Sequence, residues 1–116
     1  MGVYELTINA TFSAAHAIVI NGWREPLHGH DWRVTVAVGG PKLDHDGLLI
    51  DFHWLEKQLR EVIGPFQNQN LNECSPFKEG LNPTAEHVAM HIGRSLSARL
   101  ETRTLEWSKE EQSRAV

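Results

Sequence analysis

Two long segments of the chain alternate apolar and polar residues, and this pattern constrains the fold more than any other feature. Every second residue is apolar from Tyr4 to Ala14, and the same alternation runs from Trp32 to Val38. Because successive side chains of a strand point to opposite faces, both segments are predicted to be half-buried strands. The second stops at Gly39-Gly40-Pro41, where the chain must turn. The two strands are predicted to lie antiparallel.

Two later segments repeat apolar residues at helical spacing. Asp51 is the predicted N-cap of the first helix, which ends at Gly64-Pro65. Asn82 is the predicted N-cap of the second helix, with Pro83 at its first position. The apolar stripe of the first helix is Phe52, Leu55, Leu59, Val62 and Ile63, and that of the second is Ala85, Val88, Ala89, Ile92 and Leu96.

The end of the chain is predicted to form a hairpin of strands 103–107 and 112–116. The element order is then strand, strand, helix, helix, strand, strand. This order predicts an α+β fold in which a four-stranded antiparallel sheet carries both helices on one face, within a single domain spanning residues 1–116. Such a sheet has two open edges, so a symmetric homo-oligomer is expected.

Composition excludes several classes of function. The chain has 11 Lys+Arg against 15 Asp+Glu and a formal net charge of −4, which argues against a nucleic-acid or anionic-membrane partner. It has no 18-residue apolar run, and its start lacks a secretion signal, so a cytoplasmic location is expected. Cys74 has no second cysteine to pair with, so packing, a metal or oligomerisation must supply stability.

Seven histidines in 116 residues point to the metal. His28 and His30 are at i and i+2 of an extended segment, so they project from the same side. His16 is in register with the apolar face of the first strand and is expected near them. Three imidazoles suit Zn²⁺ and leave one coordination position open, as in catalytic sites. From spacing alone, hydrogen-bonded core or turn histidines are an equally good interpretation.

Five short motifs follow one another along the chain. They are Phe12-Ser13-Ala14-Ala15-His16, His28-Gly29-His30, Leu49-Ile50-Asp51-Phe52, Leu71-Asn72-Glu73 and Pro83-Thr84-Ala85-Glu86. Each is weak alone, but together and in this order they resemble the family of 6-pyruvoyltetrahydropterin synthase and 6-carboxytetrahydropterin synthase. The resemblance covers nearly the whole chain.

The resemblance implies the tunnelling fold (T-fold), in which such units form a trimeric barrel, commonly stacked as a homohexamer, with active sites between subunits. It implies a zinc-dependent lyase of folate or queuosine biosynthesis that acts on a small pterin, with Zn²⁺ held by His16, His28 and His30. Glu106 matches a glutamate whose carboxylate grips the pterin ring, and Thr84 matches a threonine that helps to hold it.

The chain departs from the family at the proton-transfer residues. The synthases carry a catalytic cysteine four residues before the His-Gly-His motif, where this chain has Arg24. They also carry an Asp-His pair where this chain has Gln67 and Asn68. Cys74 lies outside the pattern of the catalytic cysteine, and a lone cysteine is more often inert. Ordinary synthase activity is therefore in doubt.

Glu25 resembles a glutamate that replaces the cysteine in one branch of the family. In that branch the implied reaction cleaves the side chain of 7,8-dihydroneopterin triphosphate to give 6-hydroxymethyl-7,8-dihydropterin. The predicted role of Glu25 is that of catalytic base; its alternative is a solvated loop residue. The rival functions are a zinc- and pterin-binding module without catalysis, and the 6-pyruvoyl- or 6-carboxytetrahydropterin synthase activity itself.

Overall fold

The computed structural model describes the backbone of residues 3–114 and the side chains of residues 3–102. The chain begins with strand β1 (Tyr4–His16) and passes through two short strands, β2 (Val19–Ile20) and β3 (Trp23–Arg24). It then returns along β1 as strand β4 (His28–Gly40). The two predicted long strands are confirmed, and both are longer than the alternation alone indicated.

The antiparallel register of β1 and β4 is continuous from one end to the other. Tyr4 lies opposite Gly40 and His16 opposite His28, with no interruption between these pairs. Phe12 lies opposite Trp32, and their rings stack with centroids 5.8 Å apart. The pairing therefore reaches the three histidines without a bulge, which would have turned them to the other face.

The sheet differs from the predicted four-stranded antiparallel arrangement. Its third strand is β5 (Gln69–Asn70), which pairs parallel with Ala14 and Ala15 of β1, so the order is β4-β1-β5. β2 and β3 form a separate two-stranded ribbon. A two-residue strand has no periodic pattern in sequence, so the alternation could not predict β5.

Both predicted helices are present. Helix α1 (Phe52–Ile63) begins as expected, because the Asp51 carboxylate accepts the backbone N–H groups of His53 and Trp54. Helix α2 (Ala85–Arg114) begins two residues later than predicted. Its cap is Thr84, whose hydroxyl accepts the N–H of His87, and not Asn82. Three short 3₁₀ turns, at Gly64–Phe66, Leu71–Glu73 and Phe77–Glu79, follow α1.

The predicted C-terminal hairpin is wrong, because the backbone continues as α2 to Arg114. After Gly93 the sequence has no glycine or proline, and it is rich in Glu, Arg, Leu and Ser. Nothing in it therefore supplies the turn that a hairpin needs, and most of these residues are good helix formers. The predicted strand 103–107, with Glu106, lies within this helix. Residues 115 and 116 lie outside the described part of the chain.

The core lies between the apolar face of β1 and the two helices. α1 packs against both β1 and α2. The buried apolar residues of these three elements are Ile8, Phe12, Ala14, Leu55, Leu59, Val62, Ile63, Val88, Ile92 and Leu96. Phe52 was placed on the α1 stripe but is exposed. Among the described residues, no helix combines the length and the apolar character needed to cross a membrane.

His91 of α2 packs against aromatic rings at the edge of this core. Its ring centroid lies 5.6 Å from that of Phe66 and 6.1 Å from that of Phe77. Desolvation in this position lowers the pKa of His91 below its ordinary value, because burial disfavours the charged imidazolium. The folded protein therefore binds the proton less readily at this residue than the unfolded chain does.

We expect His91 to make the fold less stable in acid. The unfolded chain takes up the proton at a higher pH than the folded protein. The folded state therefore keeps its full stability above the ordinary histidine pKa of about 6.5, and the free energy of unfolding decreases as the pH falls below it. Urea unfolding at pH 7.5 and pH 5.5 measures the effect. The loss of unfolding free energy between the two values should be smaller in His91→Leu than in the parent. An equal loss in both proteins would contradict this role.

Candidate metal centre and active site

His16, His28 and His30 converge at one end of the β1–β4 pair. Each offers a ring nitrogen, and these three atoms all lie within 4.8 Å of one another. The ring centroids are 4.6 to 5.1 Å apart. His16 is buried, whereas His30 is exposed. The predicted convergence is thus confirmed, and it follows from the register that sets His16 opposite His28.

Backbone carbonyls fix the orientation of two of the rings. His16 Nδ1 lies 2.7 Å from the carbonyl oxygen of Pro83, and His28 Nδ1 lies 3.0 Å from that of Pro26. A carbonyl oxygen only accepts, so in both rings Nδ1 carries the proton and donates it. Nε2 of each ring then keeps its lone pair and is free to bind a metal.

These residues fit a zinc ion. Three neutral imidazoles are a donor set that Zn²⁺ accepts with a fourth position left open. Hydrogen bonds from Nδ1 to carbonyls are the outer contacts that usually hold metal-binding histidines in place. Pro26 and Pro83 were not expected to contribute. Because any residue has a backbone carbonyl, the sequence indicates this role only by position. Pro83 begins one of the five motifs, and Pro26 lies two residues before another.

Glu25 lies beside the histidines. Its Oε1 is 3.6 Å from Nδ1 of His28, and it accepts the backbone N–H of Ile18 at 3.2 Å. The Glu25 side chain is 21% exposed, so it is more buried than a free loop residue would be. The carboxylate therefore lies partly buried at the Nδ1 side of the His28 ring.

A shallow, open cleft of about 630 Å³ lies beside His30. Asn68, Gln69 and Asn70 line one side of it, and Ser13 and Asp31 are among the residues on the other. The Ser13 hydroxyl and the Asp31 carboxylate are hydrogen-bonded at 2.6 Å. The cleft therefore contains one carboxylate, from the strand face that lies away from the core.

The residues at the positions of the family's Asp-His pair are used to join the 67–70 segment to β1. Gln67 Oε1 accepts the N–H of Ser13 at 3.0 Å, and the N–H of Asn68 bonds to the carbonyl of Ser13 at 2.6 Å. Neither amide side chain can exchange a proton as a carboxylate or imidazole does. These positions therefore have a structural role in this chain.

Cys74 does not replace the missing cysteine. Burial is the main cause that raises the pKa of its thiol above the ordinary value. The thiol also donates a hydrogen bond to the carbonyl of Asn70 at 3.4 Å. A protonated thiol is a poor nucleophile and a poor base.

His87 and Asp44, which belong to two other groups of histidine and acidic residues, make structural hydrogen bonds. Nδ1 of His87 lies 2.7 Å from the carbonyl oxygen of Asn82, next to the start of α2. Asp44 accepts the backbone N–H groups of Asp46 and Leu48 within a turn. These hydrogen bonds give His87 and Asp44 a structural role in the local backbone.

The two predicted ring anchors lie in or next to α2. Thr84 is close to the centre, since the adjacent Pro83 carbonyl is bonded to His16. The Thr84 hydroxyl oxygen already accepts the N–H of His87, whereas the hydroxyl proton can be donated to a ligand. Glu106 is on the helical backbone of α2, and its side chain lies outside the part of the chain whose side chains are described.

The sequence matches the family model of 6-pyruvoyl tetrahydropterin synthase over residues 5–114. The chain belongs to this family. It is 32% identical over 90 residues to a putative 6-carboxy-5,6,7,8-tetrahydropterin synthase of Archaeoglobus fulgidus, with 78% of this chain and 73% of that protein covered. It is 35% identical over 91 residues to the dihydroneopterin monophosphate aldolase of Pyrococcus furiosus, with the same coverage of 78% and 73%.

Solved structures agree with this assignment. The fold is similar to that of the 6-pyruvoyl tetrahydropterin synthase of Caenorhabditis elegans, with a TM-score of 0.72 and 22% identity over 84% of this chain and 79% of that one. A Plasmodium vivax 6-pyruvoyltetrahydropterin synthase is 31% identical, with a TM-score of 0.52 over 58% of this chain and 42% of that one. That structure is of a variant in which a catalytic glutamate is replaced by alanine.

We expect His28→Ala to lose most of the bound zinc. The substitution removes one of three neutral donors, and two imidazoles hold Zn²⁺ far less tightly than three. Elemental analysis of the purified, dialysed protein measures the zinc content. The matched control is His53→Ala, because the His53 side chain is 92% exposed and lies on α1. Full zinc content in His28→Ala would show that the assignment of the centre is wrong.

Proposed function

We propose that the protein is a zinc-dependent lyase that cleaves the side chain of 7,8-dihydroneopterin triphosphate by a retro-aldol reaction. The product is 6-hydroxymethyl-7,8-dihydropterin. The observation that carries this proposal is the Glu25 carboxylate 3.6 Å from His28, in a chain that has Arg24 at the position of the synthases' cysteine. His16, His28 and His30 would hold the Zn²⁺.

The role of Glu25 follows from its position and chemistry. A Zn²⁺ held by the three imidazoles would make a side-chain hydroxyl of the substrate more acidic. Glu25 takes the proton from the hydroxyl on the carbon that leaves. The carbon–carbon bond then breaks, its electron pair enters the electron-poor ring, and the leaving part departs as an aldehyde. The proton is returned to the carbon that stays on the ring, so the hydroxymethyl product forms without an oxidant.

The residues at the site favour this reaction over that of the synthases. Eliminating triphosphate begins with removal of a proton from carbon, for which the synthases use a thiolate together with an Asp-His pair. This chain has uncharged amides, Gln67 and Asn68, at the Asp-His positions. Cleavage begins with the easier removal of a proton from a hydroxyl, for which one carboxylate suffices.

The relatives support the proposal in two respects. The Pyrococcus furiosus relative is by name an aldolase that acts on a dihydroneopterin phosphate. The Plasmodium vivax relative has a catalytic glutamate. The aldolase's name specifies the monophosphate, so the number of phosphates on the substrate has to be measured for this chain. Arg24 and Arg33 are the cations near the centre in sequence that could attract a phosphate.

Thr84 and Glu106 are proposed to hold the pterin ring, on the strength of the resemblance. A carboxylate facing the amino and N–H groups of the ring forms a two-point, charge-assisted contact that selects this shape. A T-fold barrel is proposed for the assembly, as a trimer or a stacked hexamer with active sites between subunits. In the described part of the chain β4 forms one edge of the sheet, and pairing between subunits would cover that edge.

We expect the zinc-loaded protein to convert 7,8-dihydroneopterin triphosphate to 6-hydroxymethyl-7,8-dihydropterin. Chromatography of the products identifies the reaction, and the monophosphate tested in parallel identifies the preferred substrate. A pyruvoyl or carboxy product would replace the proposal by a synthase activity. Tight pterin binding without turnover of either compound would identify a binding module instead.

We expect Glu25→Gln to lower kcat by about 100- to 10,000-fold, because general base catalysis contributes that much. KM should change little, since the amide fills the same space. Steady-state kinetics measures both. The control is Glu56→Gln, which removes a carboxylate 3.7 Å from an exposed histidine, three residues away along the chain as in the Glu25–His28 pair. Comparable kcat in both variants would exclude Glu25 as the base.

A further inference from the structure

We propose that Asn72 and Asn82 are positioning residues that hold the segment between the metal ligand His16 and the base Glu25. The segment consists of Ala17, Ile18 and Val19, and it enters the β2–β3 ribbon. The side-chain amide of Asn72 comes from the 3₁₀ turn Leu71–Glu73, and that of Asn82 from the segment before α2. Both form hydrogen bonds with the backbone of the segment, as a neighbouring strand would. The inference deepens the proposed function, because it concerns the geometry of the same site.

Asn72 binds the residue directly after His16. Its Oδ1 accepts the N–H of Ala17 at 2.9 Å, and its Nδ2 donates to the carbonyl of Ala17 at 2.8 Å. Asn72 is itself held, because its own N–H is bonded to Oδ1 of Asn70 at 3.0 Å. A side chain that satisfies both backbone groups of one residue fixes that residue's position and orientation.

Asn82 makes the same pair of bonds two residues further along. Its Oδ1 accepts the N–H of Val19 at 3.0 Å, and its Nδ2 donates to the carbonyl of Val19 at 2.9 Å. The carbonyl of Asn82 is bonded to Nδ1 of His87 at 2.7 Å. Asn82 also directly precedes Pro83, whose carbonyl orients the His16 ring. It therefore connects the segment and the metal ligand to the start of α2.

We call the two pairs of hydrogen bonds, from Asn72 to Ala17 and from Asn82 to Val19, the amide clamps. Ile18, the residue between them, is bonded to Glu25. The N–H of Ile18 is donated to Glu25 Oε1 at 3.2 Å, and the Ile18 carbonyl accepts the N–H of Glu25 at 3.0 Å. All backbone N–H and carbonyl groups of residues 17–19 are thus satisfied. The two amides hold Ala17 and Val19 in place, and the ordered Ile18 between them holds the Glu25 carboxylate beside His28.

The first test uses amide hydrogen exchange in the unsubstituted protein. Val19 is 46% exposed, so without the clamp its amide would exchange almost as fast as in an unfolded chain. We expect the amides of Ala17 and Val19 to exchange at least about tenfold more slowly than in an unfolded chain. Unprotected exchange at both amides would overturn the proposal without any variant being made.

The second test is reciprocal. Asn72→Ala should accelerate exchange at Ala17 and leave Val19 protected, and Asn82→Ala should do the opposite. The matched control is Asn9→Ala, which removes an amide bonded to Thr35 elsewhere on β1 and should change neither amide. If either variant fails to fold, the measurement on the unsubstituted protein still decides whether the clamps exist.

The third test separates positioning from folding. Asn82 holds the residue before Pro83, whose carbonyl orients His16, so zinc affinity in Asn82→Ala, measured by chelator competition, should fall by more than about twofold. The fall should be smaller than the roughly 10- to 100-fold that a direct outer contact contributes. In the kinetic assay, the factor by which kcat falls should be larger in both variants than the factor by which KM changes. Folded variants with zinc affinity and kcat within twofold of the parent would overturn the proposal. The zinc and exchange measurements remain valid whichever reaction the protein catalyses, so failure of the proposed function is distinguishable.

Discussion

The register between β1 and β4 is the constraint on which the rest of the site depends. A slip of one residue would turn His28 and His30 to the opposite face of the sheet. The register is fixed close to the centre by the stacked pair of Phe12 and Trp32, and by a hydrogen bond of 3.1 Å from the Trp32 indole to the carbonyl of Ala14. Trp32 also contacts the His16 ring, with centroids 4.8 Å apart. The aromatic core and the cluster of three histidines are therefore one packing unit.

The start of α2 is coupled to the same centre. Thr84 caps the helix, and the Pro83 carbonyl just before it orients His16. His87, in the first turn of the helix, is bonded to the Asn82 carbonyl. A movement of this helix start would therefore change the position of the His16 ring.

The sequence predicted those parts of the molecule that repeat with a period or carry a cap. Alternation identified β1 and β4, and helical spacing together with Asp51 identified α1, because burial of one face imposes these patterns. β5 has two residues and no period. The cap of α2 was assigned to Asn82, because Asn and Thr both favour that position and only the geometry separates them. The hairpin was assigned without a turn-forming residue, and helix propensity was underestimated there.

Among the site residues, the three histidines followed from register, whereas the clamping role of Asn72 depends on a contact 55 residues away in sequence.

Moving the reactive group by one residue, from position 24 to position 25, changes what the site can do. Arg24 lies in β3 and is exposed, whereas at Glu25 the backbone bonds back to Ile18 and the carboxylate lies beside His28. A thiol has an ordinary pKa of about 8.5 and a glutamic acid one of about 4.3, so a carboxylate is the weaker base. Removal of a proton from carbon is the harder task for it, and the amides of Gln67 and Asn68 offer no second base. It can remove a proton from a hydroxyl that a metal has made acidic. Under the proposed function, a carboxylate held at position 25 therefore favours cleavage of a carbon–carbon bond on the same fold and with the same three histidines.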